Sequence, residues 1–197
     1  MRIVVTGGSG LVGKHLQEIL PDAFYLSSKD CDLTDIKKVR WMISSYTPDV
    51  VIHLAARVGG IQDNLKYPAD YFDDNILINT NIVKVCKEYD VKRFIGILST
   101  CIYPSVVDNY PMTEEDLFIG PPPPSNFSYG YAKRCLAVQI DAYNKQFGTK
   151  YNYLIPCNLY GDYDNLHNEN KMHFITALLN KIRNSQDNSL YLLGTGK

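Results

Sequence analysis

The chain has 197 residues, of which 45% are hydrophobic and 21% charged, and its formal net charge is −1. That length suits one domain, or one domain and the start of a second, with enough apolar content to bury a core. The near-neutral balance offers no basic surplus for nucleic acid or an anionic membrane surface, although local lysines and helix ends still suit a nucleotide.

Five cysteines (Cys31, Cys86, Cys101, Cys135 and Cys157) are scattered without a C-x-x-C pair. This argues against a zinc ribbon or a disulfide framework, so no metal is expected and the thiols read as free in a reducing compartment. Met1 runs directly into Ile3-Val4-Val5 with no signal-peptide pattern. No apolar run approaches the ~18 residues of a membrane span. The expected location is the cytoplasm, with no membrane partner.

In chain order, short apolar runs alternate with helical patterns. Strands are expected at Ile3–Thr6, Phe24–Leu26, Val50–Leu54, Phe94–Leu98, Tyr151–Pro156 and Leu190–Leu193. Helices are expected at Leu11–Leu20, Asp35–Tyr46, Tyr71–Tyr89, Tyr129–Phe147 and His173–Ile182. Continuous Val/Ile-rich strands separated by helices indicate an α/β chain, a doubly wound parallel sheet covered on both faces, of the Rossmann type. The run Pro121-Pro122-Pro123-Pro124 lacks N–H donors and reads as a stiff surface loop. Residues 1–165 are expected to form the dinucleotide-binding domain with the catalytic residues. Residues 166–197 are expected to begin a substrate-binding part that is largely missing.

Thr6-Gly7-Gly8-Ser9-Gly10-Leu11-Val12-Gly13 follows the first strand and opens the first helix. Gly7, Gly10 and Gly13 have the G-x-x-G-x-x-G spacing. The first glycine allows a tight turn, the second a close approach to a pyrophosphate, and the third close helix–strand packing. The helix N-terminus adds free N–H groups and partial positive charge. The second strand ends Ser27-Ser28-Lys29. Lys29 and two hydroxyls suit the 2′-phosphate of NADP, whereas Asp30 and Asp32 nearby resemble the carboxylate of an NAD site. NADP is favoured, with NAD left open.

Tyr129 and Lys133 form Y-x-x-x-K, which places both side chains on one helix face. An ammonium near the phenol favours its ionised form. Ser99 directly follows the fourth strand, at the carboxyl edge where such sheets bind ligands. It is placed to bind the same carbonyl oxygen as Tyr129. Cys101 lies two residues further on, and His173 opens a later helix. Reduction of a ketone needs neither. Inversion of the neighbouring carbon needs a base and an acid, which a thiolate and an imidazole can supply. The plain alternatives are a small buried thiol and a helix-capping histidine.

Ala55-Ala56-Arg57-Val58-Gly59-Gly60-Ile61, Ser99-Thr100-Cys101-Ile102-Tyr103-Pro104, Tyr129 to Lys133, Asn158-Leu159-Tyr160-Gly161 and Gly194-Thr195-Gly196 together resemble the GDP-L-fucose synthases. That family comprises 3,5-epimerase/4-reductases of GDP-4-keto-6-deoxy-D-mannose within the extended short-chain dehydrogenase/reductases. The resemblance implies that Gly7, Gly8, Ser9, Gly10, Leu11, Val12 and Gly13 hold the NADP(H) pyrophosphate. It implies that Ala55, Ala56, Ile97, Leu98, Ser99, Thr100, Pro156, Cys157, Asn158, Leu159 and His173 also touch the cofactor. Ser99 and Tyr129 would bind the C4 carbonyl, with Tyr129 donating its proton. Lys133 would bind the ribose and tune Tyr129. Cys101 and His173 would epimerise C3 and C5, and Lys181 would bind substrate. A homodimer through the helices beginning near Tyr71 and Tyr129 is implied as well.

Cys157 stands where the family usually has threonine, and Leu193 where a tryptophan often precedes G-[ST]-G. The family continues well beyond residue 197, which leaves two alternatives open. One is a cofactor-binding module without turnover. The other is a different nucleotide-sugar epimerase or dehydratase, although a dehydratase wants an acidic pair where Thr100-Cys101 stands.

Overall fold

In the computed structural model, the described residues are 1–107, 110–164, 172, 174–185, 189, 190 and 192. Five strands build one sheet: β1 (Ile3–Thr6), β2 (Phe24–Leu26), β3 (Val50–His53), β4 (Arg93–Ile97) and β5 (Tyr151–Leu154). Their order is β2-β1-β3-β4-β5, and every pairing is parallel. Six helices connect or follow them: α1 (Leu11–Ile19), α2 (Ile36–Tyr46), α3 (Ile61–Lys66), α4 (Pro68–Glu88), α5 (Phe127–Phe147) and α6 (Phe174–Asn184). The doubly wound parallel architecture is therefore as the sequence indicates.

α2, α4 and α5 touch in series along one face of the sheet. The right-handed rule for parallel crossovers sends α1 to the opposite face. The chain therefore reverses direction between β1 and β3, the switch point where ligands of such sheets bind. The core lies mainly between the sheet and the three-helix face. Val4, Val51 and Phe94 from the sheet meet Val39, Ile43, Ile82, Val85, Leu136 and Ile140, all fully or almost fully buried.

Local chemistry sets the element ends. Asp35 caps α2 by accepting from Lys37 N at 2.8 Å. Gly148 ends α5 in the left-handed conformation, and its N–H returns to Asn144 O at 3.0 Å. Pro68 starts α4 at a position that needs no N–H donor.

Three features differ from the sequence reading. α3 was not anticipated, because six residues after two glycines show too little periodicity. α4 begins before Tyr71, since Pro68 reads as a breaker in sequence yet is tolerated in a first turn. The proline run is not wholly a surface loop. Pro122 is buried against Gly130, and Pro124 opens a single 3-10 turn, Pro124–Asn126. The expected strand at 190–193 includes positions outside the described residues. Among the described residues, no helix is long and apolar enough to cross a membrane.

Candidate active site

The glycine loop is shaped by backbone crowding. Gly7 has φ of +73°, and a Cβ there would come within 2.7 Å of Ala55 N. Gly8 N donates to Leu26 O at 2.9 Å, joining the loop to β2. At Gly13 a Cβ would sit 2.5 Å from Gly8 O, so α1 lies directly on the loop. Gln17 reaches back from α1 and donates to Gly8 O at 2.9 Å. No side chain caps α1 at Gly10, which leaves the helix N-terminus for a ligand.

Substitution of Gly13 by alanine should therefore push α1 off the loop. Overpacking of this kind costs about 1–3 kcal/mol. NADPH titration by fluorescence should show a Kd raised about tenfold or more, and an unchanged Kd would refute this account of the loop.

Beside the loop is a cavity of about 400 Å³, lined by Thr6, Gly7, Ser9, Gly10 and the ends of β2 and β3. Ser27, Ser28, Ala55 and Ala56 are in its wall. A cleft with glycine backbone on one side, hydroxyls on another and apolar walls from Leu26, Leu33, Met42 and Ile78 fits an adenine dinucleotide. Lys29 is exposed and lies outside this wall. Asp30 turns onto Ser27, accepting from its N at 2.8 Å and its Oγ at 2.6 Å. These bonds hold the Asp30 carboxyl below its ordinary range. Asp32 lines the cavity but accepts from Thr34 N and Oγ1. Both carboxylates are thus engaged within their own loop.

Arg57 also lines the cavity, a placement the sequence reading did not assign. Its guanidinium pairs with Asp74 at 2.8 Å and Asp70 at 3.1 Å, and lies over the Tyr71 ring. Asn75 accepts from Arg57 N and donates to Arg57 O. Together these contacts fasten the segment after β3 to α4.

The candidate reacting groups lie near the carboxyl end of β4. Ser99 begins the 3-10 turn Thr100–Ile102, and its Oγ accepts from Cys101 N at 3.3 Å. Ser99 and any charge on Cys101 both act on the Tyr129 phenol, in opposite directions. Burial raises the Tyr129 pKa above its ordinary value, a Cys101 thiolate adds to this, and the nearby Ser99 hydroxyl opposes it. The sequence reading gave the ammonium the leading influence on Tyr129. Burial is the largest influence instead, and it favours the protonated phenol.

Lys133 Nζ stands 5.9 Å from the Tyr129 ring centroid and donates to Ile97 O at 2.8 Å. Burial lowers its pKa to about 8. Pro156 O accepts from Thr100 N at 3.3 Å, which brings the 156–159 segment alongside Ile97–Thr100. Within that segment Cys157, Asn158 and Leu159 are exposed.

Behind the pair runs a buried chain of polar groups that the sequence reading missed. Thr6 Oγ1 meets His53 Nδ1 at 2.7 Å, and His53 Nε2 meets Asn79 Oδ1 at 3.2 Å. Asn79 Nδ2 donates to Ala132 O at 3.4 Å, on α5 between Tyr129 and Lys133. The amide oxygen of Asn79 accepts, so Nε2 carries the imidazole hydrogen and Thr6 donates to Nδ1. Burial, aided by the Lys133 charge, lowers the His53 pKa to about 3. The only sequence signal was a polar residue interrupting the apolar stripe of α4.

His173 lies outside the described residues. Lys181 is exposed near the end of α6.

The model of the NAD dependent epimerase/dehydratase family matches residues 3–197. The chain belongs to that family. This epimerase/dehydratase chain is 42% identical to a GDP-L-fucose synthase of Dictyostelium discoideum, over 99% of its own length and 63% of the relative's. Against the GDP-L-fucose synthase of Escherichia coli K12 the identity is 35%, covering 91% and 57%. A crystal structure of a GDP-L-fucose synthetase from Naegleria fowleri bound to NADP superposes with a TM-score of 0.86 at 38% identity, covering 94% of this chain and 58% of that one. The chain thus spans less than two thirds of the length of each of these proteins.

Proposed function

We propose that the chain carries the NADP(H) site and reacting groups of a GDP-L-fucose synthase. The reaction is epimerisation of GDP-4-keto-6-deoxy-D-mannose at C3 and C5, then reduction at C4 to GDP-L-fucose. The observation that carries this reading is the packing of Gly130, next to Tyr129, against Cys101 O in the turn that Ser99 begins. Ketone reduction needs only the Ser99 and Tyr129 hydroxyls, whereas a thiol beside them suits proton transfer at the neighbouring carbons. The named synthases above, and the NADP in the Naegleria structure, support the choice of substrate and cofactor.

The glycine loop, Ser27, Ser28, Ala55 and Ala56 would hold the cofactor, with Lys133 on its ribose. When bound, NADPH supplies the hydride for C4. Ser99 and Tyr129 donate hydrogen bonds to the C4 oxygen, which lowers the pKa of the C3 and C5 protons. Cys101, as thiolate, removes a proton from one face of the ring carbon. His173 returns one to the opposite face and inverts the centre. Tyr129 then gives its proton to the C4 oxygen as the alkoxide forms. Lys181 would bind the substrate's anionic part.

Residues 1–165 form the cofactor domain in this reading, and 166–197 begin the substrate part. The protein is cytoplasmic and homodimeric through α4 and α5, whose Phe72, Leu77 and Val138 are exposed.

The test is NADPH oxidation with GDP-4-keto-6-deoxy-D-mannose, with the product sugar identified. Cys101→Ser should slow deuterium uptake at C3 and C5 by about 10²-fold or more, the range of general acid–base contributions. Wild-type uptake in that variant would remove Cys101 as the base. Tight NADPH binding without oxidation would favour a cofactor-binding module.

A further inference from the structure

α5 carries a buried cation with no part in the proposed reaction. Arg134 is 5% exposed, and among the described residues no carboxylate forms an ion pair with it. Its Nε donates to Ile102 O at 2.6 Å. Its Nη2 is buried and makes no hydrogen bond. The guanidinium lies over the rings of Tyr131, at 5.5 Å, and Phe118, at 5.9 Å. A buried charge without a counter-ion is costly, and two aromatic faces offset only part of that.

The position of the bond suggests what offsets the rest. Ile102 directly follows Cys101, and Arg134 directly follows Lys133. One helical turn earlier, Gly130 faces the same segment, where a Cβ would come within 2.9 Å of Cys101 O and 2.8 Å of Pro122 Cβ. Positions 130 and 134 share one helix face. α5 therefore meets the Ser99–Ile102 backbone at two points, a close contact at Cys101 O and a hydrogen bond at Ile102 O. The other bonds of that turn are longer: Ile102 N to Ser99 O and Tyr103 N to Thr100 O at 3.1 Å, and Cys101 N to Ser99 Oγ and Thr100 N to Pro156 O at 3.3 Å.

We propose that Arg134 is a positioning residue that fixes the Cys101 thiol relative to Tyr129, by clamping Ile102 O to the helix that carries the phenol. The proposal rests on the reading of Cys101 as the proton-transfer group. Misplacement of a reacting group by about 1 Å can cost on the order of 10²-fold in rate.

The experiment compares wild type, Arg134→Met and Arg134→Lys. Iodoacetamide labelling of Cys101 is followed by peptide mass spectrometry, with the same chain unfolded in urea as the reference for full labelling. NADPH Kd, Tm, and deuterium uptake at C3 and C5 are measured on the same samples. Arg134→Met should change the relative labelling rate of Cys101 by about threefold or more and slow deuterium uptake by about 10- to 100-fold, with the NADPH Kd unchanged. Arg134→Lys, which keeps a donor and the charge, should bring both rates back towards wild type.

Wild-type labelling and uptake in Arg134→Met would overturn the proposal, whatever the Tm. If that variant does not fold, Gly130→Ala displaces the same turn from its other contact. Its Cys101 labelling should then change, and wild-type labelling would overturn the proposal. Should the wild-type chain exchange no deuterium with the keto sugar, the proposed reaction fails, while the labelling comparison still decides the role of Arg134.

Discussion

Tyr129→Phe should lower the rate of NADPH oxidation by the keto sugar by about 10²- to 10⁴-fold, the contribution typical of a placed general acid. The structure gives the reason. Burial raises the phenol's pKa, so the native side chain holds its proton until an alkoxide forms beside it. Phenylalanine fills the same space without that proton. The Ser99 hydroxyl remains to bind the carbonyl, and Cys101 remains to exchange protons. Steady-state oxidation should therefore collapse, while deuterium uptake at C3 and C5 falls far less. NADPH affinity should stay near wild type, because Lys133 still donates to Ile97 O rather than depending on the phenol. Equal losses in oxidation and uptake would show that epimerisation needs Tyr129 as much as reduction does, and would remove the division of labour proposed here.

Acid should destabilise the protein steeply through His53. The imidazole is fully buried, and its pKa is lowered to about 3 from an ordinary 6.5. The unfolded chain takes up a proton as pH falls through about 6.5, while the native chain does not until about 3. Stability contributed by neutral His53 is thus fully present above about 6.5 and is lost as pH falls towards 3. The slope is about 1.4 kcal/mol per pH unit, up to about 5 kcal/mol in all. That is a large share of the 5–15 kcal/mol typical of a domain.

Carboxylates add their own slope. Asp49, for example, is lowered to about 2 by Lys92 and by the N–H of Arg2. The measurement is therefore a difference: urea unfolding of wild type and His53→Gln between about pH 7.5 and 4.5. The variant should be weaker at neutral pH, having lost the fit to Thr6 and Asn79, yet its acid slope should be shallower by about one proton. Parallel slopes would show that His53 does not carry the effect.

Some of this site was legible in the linear sequence. Gly7, Gly10 and Gly13 declared themselves by spacing after a strand. Tyr129 and Lys133 share a helix face by spacing alone, and Ser99 follows an apolar run that had to be a strand. Residues less plainly marked were missed. Arg57 was visible in A-A-R-V-G-G, but nothing local tells whether it faces a cavity or water. Asn75 and Asn79 are polar positions on α4 that nothing local marks, yet they bind Arg57 and His53.

What the sequence determined by itself was the alternation of strands and helices, the phosphate loop and the residue types available for chemistry. Periodicity and spacing act within one element, over a few residues, so they can be read before the chain folds. The tertiary structure decided the direction in which the phenol's pKa moves, the tautomer of His53 and the contact from Arg134 to Ile102, 32 residues apart. Each depends on which distant segments exclude water from a group and which offer it a partner. Desolvation and hydrogen-bond partnership exist only once those segments have met.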